Sequence, residues 1–342
     1  MSEMVNWEMR PYREGDEEKM AATATAGFQG DGLDFVVSAG ELHADLQRFN
    51  VDLRNSTLII TGPRVEGLPE GMLAGYGVLG VREDEENDER VYQPRIAVHP
   101  AARPLGLERK LVLRLIEMAR ANEAKVETVP RKAVKIKESF SPKQVSQKEI
   151  YEELGLKLKR VFWTMNCPLD DLPEVRPVEG VRIRPLRLPE DTWPLRDALN
   201  GSFIDHYDFH PPTPERWEWR LSRHSFRPDL SWVGEIEGEP GKLAGFCLCG
   251  IIVEENEAFG RKEGWIETLG TIRGWRGKGL GRALLLQGLR SLRDEGMDRG
   301  ALGVDSENPT GATQLYESVG FRVADEWLDY GCLLSEIKVG RE

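Results

Sequence analysis

The second half of the sequence moves between two apolar rhythms. Val181 to Pro185 alternates as a short strand would. Glu190 to Ser202 and Thr213 to Ser222 carry helical spacing, the latter with Thr213 as N-cap and Pro214 in the first turn. Ser231 to Ile236 and Leu243 to Val253 read as strands joined by a turn holding Gly238, Pro240 and Gly241, and Trp265 to Ile272 reads as another. Ala283, Leu284, Leu286, Leu289 and Leu292 mark one face of a helix that ends near Gly296. Ala301 to Asp305 predicts a strand, Thr310 to Ser318 a helix, and Phe321 to Ala324 with Leu328 to Leu334 a closing hairpin.

The same landmarks occur earlier in the chain. Arg10-Pro11-Tyr12-Arg13 returns as Arg184-Pro185-Leu186-Arg187, Phe28 returns as Phe203, and Arg103-Pro104-Leu105-Gly106 aligns with Arg276-Gly277-Lys278-Gly279, at separations of 173 to 175 positions. Tyr151 to Leu156 matches Tyr316 to Phe321 at 165. The first copy therefore holds about eight extra residues, expected as an exposed loop or strand extension in the Lys-rich stretch Arg131 to Lys148. Matches in constant order mean two copies of one fold. Acidic residues and prolines interrupt the pattern near Asp170 to Pro177, so the expected plan is a first domain of 1–170, a linker of 171–180 and a second domain of 181–342.

Composition removes several function classes. The 342 residues suit two domains. With 46 basic against 58 acidic residues the formal charge is −12, which argues against general nucleic-acid binding. The longest apolar run, Leu243 to Val253, is far short of the roughly 20 residues that span a bilayer. Met1-Ser2-Glu3-Met4 opens no basic-then-apolar leader, so the expectation is a cytoplasmic protein with no membrane partner. Four cysteines are too few for a disulfide framework, and Cys247 and Cys249 share one strand face as small core residues.

The chemistry concentrates in Leu269-Gly270-Thr271-Ile272-Arg273-Gly274-Trp275-Arg276-Gly277-Lys278-Gly279-Leu280-Gly281-Arg282, a strand, a glycine-dense turn and the start of an amphipathic helix. Glycines let the backbone approach an anion, and the free amides at a helix start carry partial positive charge, so this layout cradles a pyrophosphate. A P-loop would need Ser or Thr after Lys278, where Gly279 stands. A dinucleotide fingerprint would need a different glycine spacing from 277, 279 and 281. A tight turn with no ligand is the bland alternative.

Arg276-Gly277-Lys278-Gly279-Leu280-Gly281 resembles the R/Q-x-x-G-x-G/A signature of the GNAT superfamily of N-acetyltransferases. Asn308 to Phe321 resembles its second cofactor motif, displaced by one residue between Asn308 and Ala312. The tandem format is similar to the mycothiol synthase group of two-domain acetyltransferases. The resemblance implies an α/β (α+β) fold of two tandem GNAT-like domains, each a central mixed twisted β-sheet flanked by helices. It further implies that acetyl-CoA is the acyl donor, with no metal. The pyrophosphate would rest on the turn Arg276, Gly277, Lys278, Gly279, Leu280, Gly281 and Arg282. The pantetheine arm would run beside Leu269, Gly270 and Thr271, and Asn308 would help seat the cofactor. Tyr316 takes the place of the general acid, against the alternative of a packed core tyrosine.

An amine nucleophile needs a base within reach. Glu267 is the candidate: two residues before Leu269, it should share that residue's face, and an ordinary cross-strand Glu is the competing reading. The acceptor, a small-molecule amine, is expected at Phe203, His206, Tyr207 and His210. The spacing of His206 and His210 is no metal site, because Pro211 and Pro212 oppose a helix there. In the first copy Pro104 removes an amide and Glu108 sets negative charge at the cradle, so that copy is expected to be catalytically silent. A non-catalytic acyl-CoA sensor and a protein N-acetyltransferase are the alternative functions.

Overall fold

A computed structural model describes residues 7–40, 42–43, 53–62, 65–85, 87–125 and 127–338; Met1 to Met4 lie outside them. The chain forms two compact units, Met1–Arg160 with Trp327–Glu342, and Val161–Glu326.

In the first unit β1 (Glu8–Pro11), β2 (Thr57–Thr61), β3 (Gly75–Asp84) and β4 (Glu89–Val98) pair antiparallel in that order. β5 (Ala133–Phe140) joins β4 in parallel, and residues 328–333 of β12 (Arg322–Leu333) run antiparallel to β5. The Lys-rich stretch, expected as loop or strand extension, is β5 followed by the helix Val145–Glu153.

The second unit repeats the plan. β7 (Val181–Pro185), β8 (Phe226–Ile236), β9 (Leu243–Gly250) and β10 (Glu263–Thr271) are antiparallel neighbours; β11 (Arg299–Asp305) joins β10 in parallel. Residues 162–168 of β6 (Lys157–Pro168) close this sheet against β11. The spatial units and a repeat boundary at 171–180 thus divide the chain differently.

The duplication extends to side chains. Arg10 grips Asp16 through two bonds of 2.7 Å, and Arg184 grips Asp191 through bonds of 2.7 and 2.8 Å. In both, the aspartate also accepts a backbone amide, from Arg13 and Arg187 respectively, so each pair fastens the first strand to the first helix.

The helix Leu280–Asp294 covers one face of the second sheet. It buries Ala283, Leu284, Leu286, Leu289 and Leu292, as its spacing predicts, each leucine contributing about 1.5–3 kcal/mol. It comes close because Gly288 faces the cysteine pair: a Cβ there would lie 2.7 Å from Cys247 Sγ and 3.0 Å from Cys249 Sγ. The helices Thr192–Phe203 and Pro214–Leu221 cover the other face around the fully buried Trp217. Thr213 caps the second of them, its hydroxyl accepting the Arg216 amide at 3.3 Å.

Two expectations fail. The closing hairpin is one continuous strand, β12, because Asp325-Glu326-Trp327 contains no glycine to complete the Asp-Gly or Gly-X pair that a tight reversal favours. The strand beginning at Leu243 stops at Gly250, and Val253–Phe259 is a helix.

Candidate active site

β10 is paired on both sides only at its beginning. Glu263 to Ile266 lie in register with Arg299 to Leu302 of β11, whereas pairing with β9 continues to Thr271 opposite Gly245. From Glu267 onward the parallel strands part, and one edge of β10 has no paired strand among the described residues.

The glycine turn stands at the end of that opened edge. Gly277 and Gly279 have φ of 74° and 84°, conformations that disfavour a side chain, and nothing lies within 4 Å of where a Cβ would project. The amides of Gly277 through Arg282 find no acceptor among the described residues, and the helix that follows has neither a side-chain cap nor an acidic residue in its first turn. Amides without an acceptor among the described residues and the helix dipole give this end of the turn a positive character. Arg276 holds the turn in place: Nε donates to the Thr271 carbonyl at 3.1 Å and Nη2 to the Ser202 carbonyl at 2.8 Å. Lys278 lies over the Trp275 ring at 4.4 Å.

Glu267 does not share a face with Leu269. A bulge between Ile266 and Thr268 breaks the alternation, so Ile266 and Leu269 both pack under the Leu280–Asp294 helix. Glu267 turns to the opposite face, where its Oε2 lies 3.9 Å from Arg223 Nη1. Burial raises its carboxyl above the usual range, against the pull of Arg223 and Arg220.

Tyr316 lies on the helix Ala312–Val319 within the core cluster that holds Cys247, Leu269 and Leu280. Its hydroxyl makes no hydrogen bond among the described residues, and burial holds the phenol well above its usual value. The neighbouring Leu315 reaches the turn, 3.6 Å from a Cβ position on Gly281. Asn308 is drawn into a local turn, its side-chain oxygen accepting the Thr310 amide at 2.8 Å and the Thr310 hydroxyl at 2.6 Å.

The 203–210 segment adjoins the turn. The Phe203 and His206 rings are 4.4 Å apart, and burial together with Arg276 lowers the His206 pKa. Tyr207 lies 6.4 Å from the Phe162 ring, and His210 Nε2 is 3.2 Å from Asp208 Oδ1. Among the described residues no group of three or more His, Cys, Asp or Glu is arranged to hold a metal, and no helix is long and apolar enough to cross a membrane.

The first copy differs at each of these points. Arg103 still reaches the first helix, Nη2 donating to the Gly27 carbonyl at 2.9 Å, but Glu108 is buried in the first helical turn, 3.4 Å from Arg103 Nε. Tyr151 donates to the Pro94 carbonyl at 2.7 Å, and Pro94 occupies the position that corresponds to Glu267.

Arg220 and Arg223, which flank Glu267, were not singled out by the sequence; arginines at the end of a short surface helix and in the loop after it look like a solvated face.

A mixed sheet that opens beside a glycine turn, whose amides meet no acceptor among the described residues, defines an α/β protein with an anion-receptive helix start at one strand edge. The model of the Acetyltransferase (GNAT) family matches residues 192–321. A mycothiol acetyltransferase of Thermobispora bispora is 35% identical over 175 residues, 49% of this chain and 55% of that protein, so this match spans little more than half of the relative's length. A mycothiol acetyltransferase of Salinispora arenicola is 32% identical over 262 residues, 74% of this chain and 75% of that one. The crystal structure of a GCN5-related N-acetyltransferase from Sphaerobacter thermophilus shares the fold, with a TM-score of 0.69 at 24% identity over 96% of both chains. The chain belongs to the GNAT family of acetyltransferases, in tandem two-domain form.

Proposed function

We propose that the protein transfers the acetyl group of acetyl-CoA to the primary amine of a small molecule by direct attack, using the second unit. The observation that carries this reading is the row of amides from Gly277 to Arg282, unpaired among the described residues, beside the opened edge of β10. Glycines with empty space before them fit a pyrophosphate.

Acetyl-CoA supplies the activated acyl group when bound. The turn residues Arg276 to Arg282 hold its pyrophosphate, and backbone groups of Leu269, Gly270 and Thr271 orient the arm along the strand, an amide there facing the carbonyl oxygen as charge develops. Glu267 takes the proton of the amine, directly or through a water. Tyr316, protonated at neutral pH, gives its proton to the departing sulfur. Asn308 supports the cofactor loop, and Phe203, His206, Tyr207 and His210 line the approach of the acceptor. The first unit, with Glu108 in its cradle and Pro94 in place of Glu267, is catalytically silent.

The test is titration with CoA followed by acetyl-CoA turnover over a panel of amines. CoA binding with amine-dependent release of free CoA is expected; tight binding without any amine-dependent release would point to a sensor.

A further inference from the structure

Glu267 lies against the bare backbone of Gly250: a Cβ on Gly250 would stand 2.4 Å from Glu267 Oε1. Two guanidinium groups flank it. Arg223 approaches at 3.9 Å and is steadied by a 3.0 Å bond from Nη2 to Ser225 Oγ. Arg220 donates through Nη2 to Thr268 Oγ1, the next residue of the bulge, and its guanidinium lies 6.0 Å from the Trp217 ring centre. Among the described residues no carboxylate comes within ion-pair distance of Arg220. Arg216, one turn earlier on the same helix, adds its positive field.

One carboxylate therefore serves at least two arginines on this face, in a chain whose overall charge is −12. Arg220 spends one of five N–H donors on a neutral hydroxyl. Arg220 is half-buried, and its remaining donors are open to solvent, where an anionic group can reach them. A guanidinium fork matches the oxygens of a carboxylate or a phosphate, which gives a ligand bound there a chemical class.

We propose that Arg220 and Arg223 form an anion subsite in the acceptor cleft, so that the acceptor is a primary amine that also carries a carboxylate or a phosphate. Glu267 receives the ammonium end and the arginines the anionic end. This rests on the reading of Glu267 as the acceptor-facing base, and the bulge is what brings the two kinds of charge to one face.

The experiment uses the full chain saturated with CoA and two matched probe pairs, L-serine against L-serinamide and glucosamine 6-phosphate against glucosamine. Calorimetry gives each affinity, and free CoA release from acetyl-CoA is followed in parallel. At least tenfold tighter binding of the anionic member is expected in one pair, the pair identifying carboxylate or phosphate as the recognised group. Arg223→Gln and Arg220→Gln each shrink that preference to threefold or less, with a CoA titration showing that each variant is folded. Equal affinities within both pairs, or a preference that survives both substitutions, overturn the subsite. Selective binding without release keeps the subsite and sinks acetyl transfer; release without selectivity does the reverse.

Discussion

Tyr151 donates its hydroxyl to the Pro94 carbonyl across 2.7 Å, closing the strand edge that the first unit would otherwise present. The matching tyrosine of the second unit, Tyr316, makes no hydrogen bond through its hydroxyl among the described residues, and the matching strand position is Glu267 at a bulge. One phenol is tied to the backbone and the other has no such bond among the described residues.

Removing the two hydroxyls should therefore have opposite consequences. Tyr316→Phe is expected to lower kcat about a hundredfold to ten-thousandfold, the usual range for a lost proton donor, with unfolding free energy nearly unchanged. Tyr151→Phe is expected to leave turnover intact and to cost about 1–3 kcal/mol, because the buried Pro94 carbonyl loses its partner. Steady-state kinetics and denaturant melts on both variants check the pair.

Gly281 occupies the position that Glu108 fills in the first copy. Gly281→Glu should abolish CoA binding, because a carboxylate would stand where the bare amides face the pyrophosphate. Stability should change by less than about 1 kcal/mol, since an acid in the first helical turn suits the dipole. Calorimetric titration of CoA together with thermal unfolding separates lost binding from lost folding.

The pH dependence of turnover should carry the mark of Glu267. A base works deprotonated, so kcat/KM falls as pH drops through its pKa, and burial places that midpoint above the ordinary carboxylate range. Removing the flanking charge in Arg223→Gln should move the acidic midpoint further upward. Glu267→Gln should erase that limb and lower the plateau; an unshifted acidic limb in Glu267→Gln would assign the base elsewhere.

Asp191→Ala tests the repeated ion pair as a structural device. It strips the buried Arg184 of its bidentate partner and the Arg187 amide of its acceptor. A loss of about 3–5 kcal/mol is expected in chemical denaturation, with CoA affinity per folded molecule unchanged.

Much of this was legible in the sequence. The helical spacing after Gly279 and the turn chemistry at Gly277, Gly279 and Thr213 depend on neighbouring residues, and local rules read them well. The face of Glu267 was misread because counting by twos assumes unbroken alternation, and a bulge inserts a residue with no compositional signature. Ile251-Ile252-Val253 looked like more strand because β-branched residues favour it, although a helix begins within the run. Arg220 escaped notice because its role depends on Thr268, which lies 48 positions away.

The pairing of residues 328–333 with β5 sets an order of events during synthesis. Every residue of the second unit emerges from the ribosome before the first unit's sheet can acquire its last strand. Until then the edge of β5 is bare, and such edges recruit other chains. Cutting the protein at 171–180 to obtain a separate first half would make that transient condition permanent.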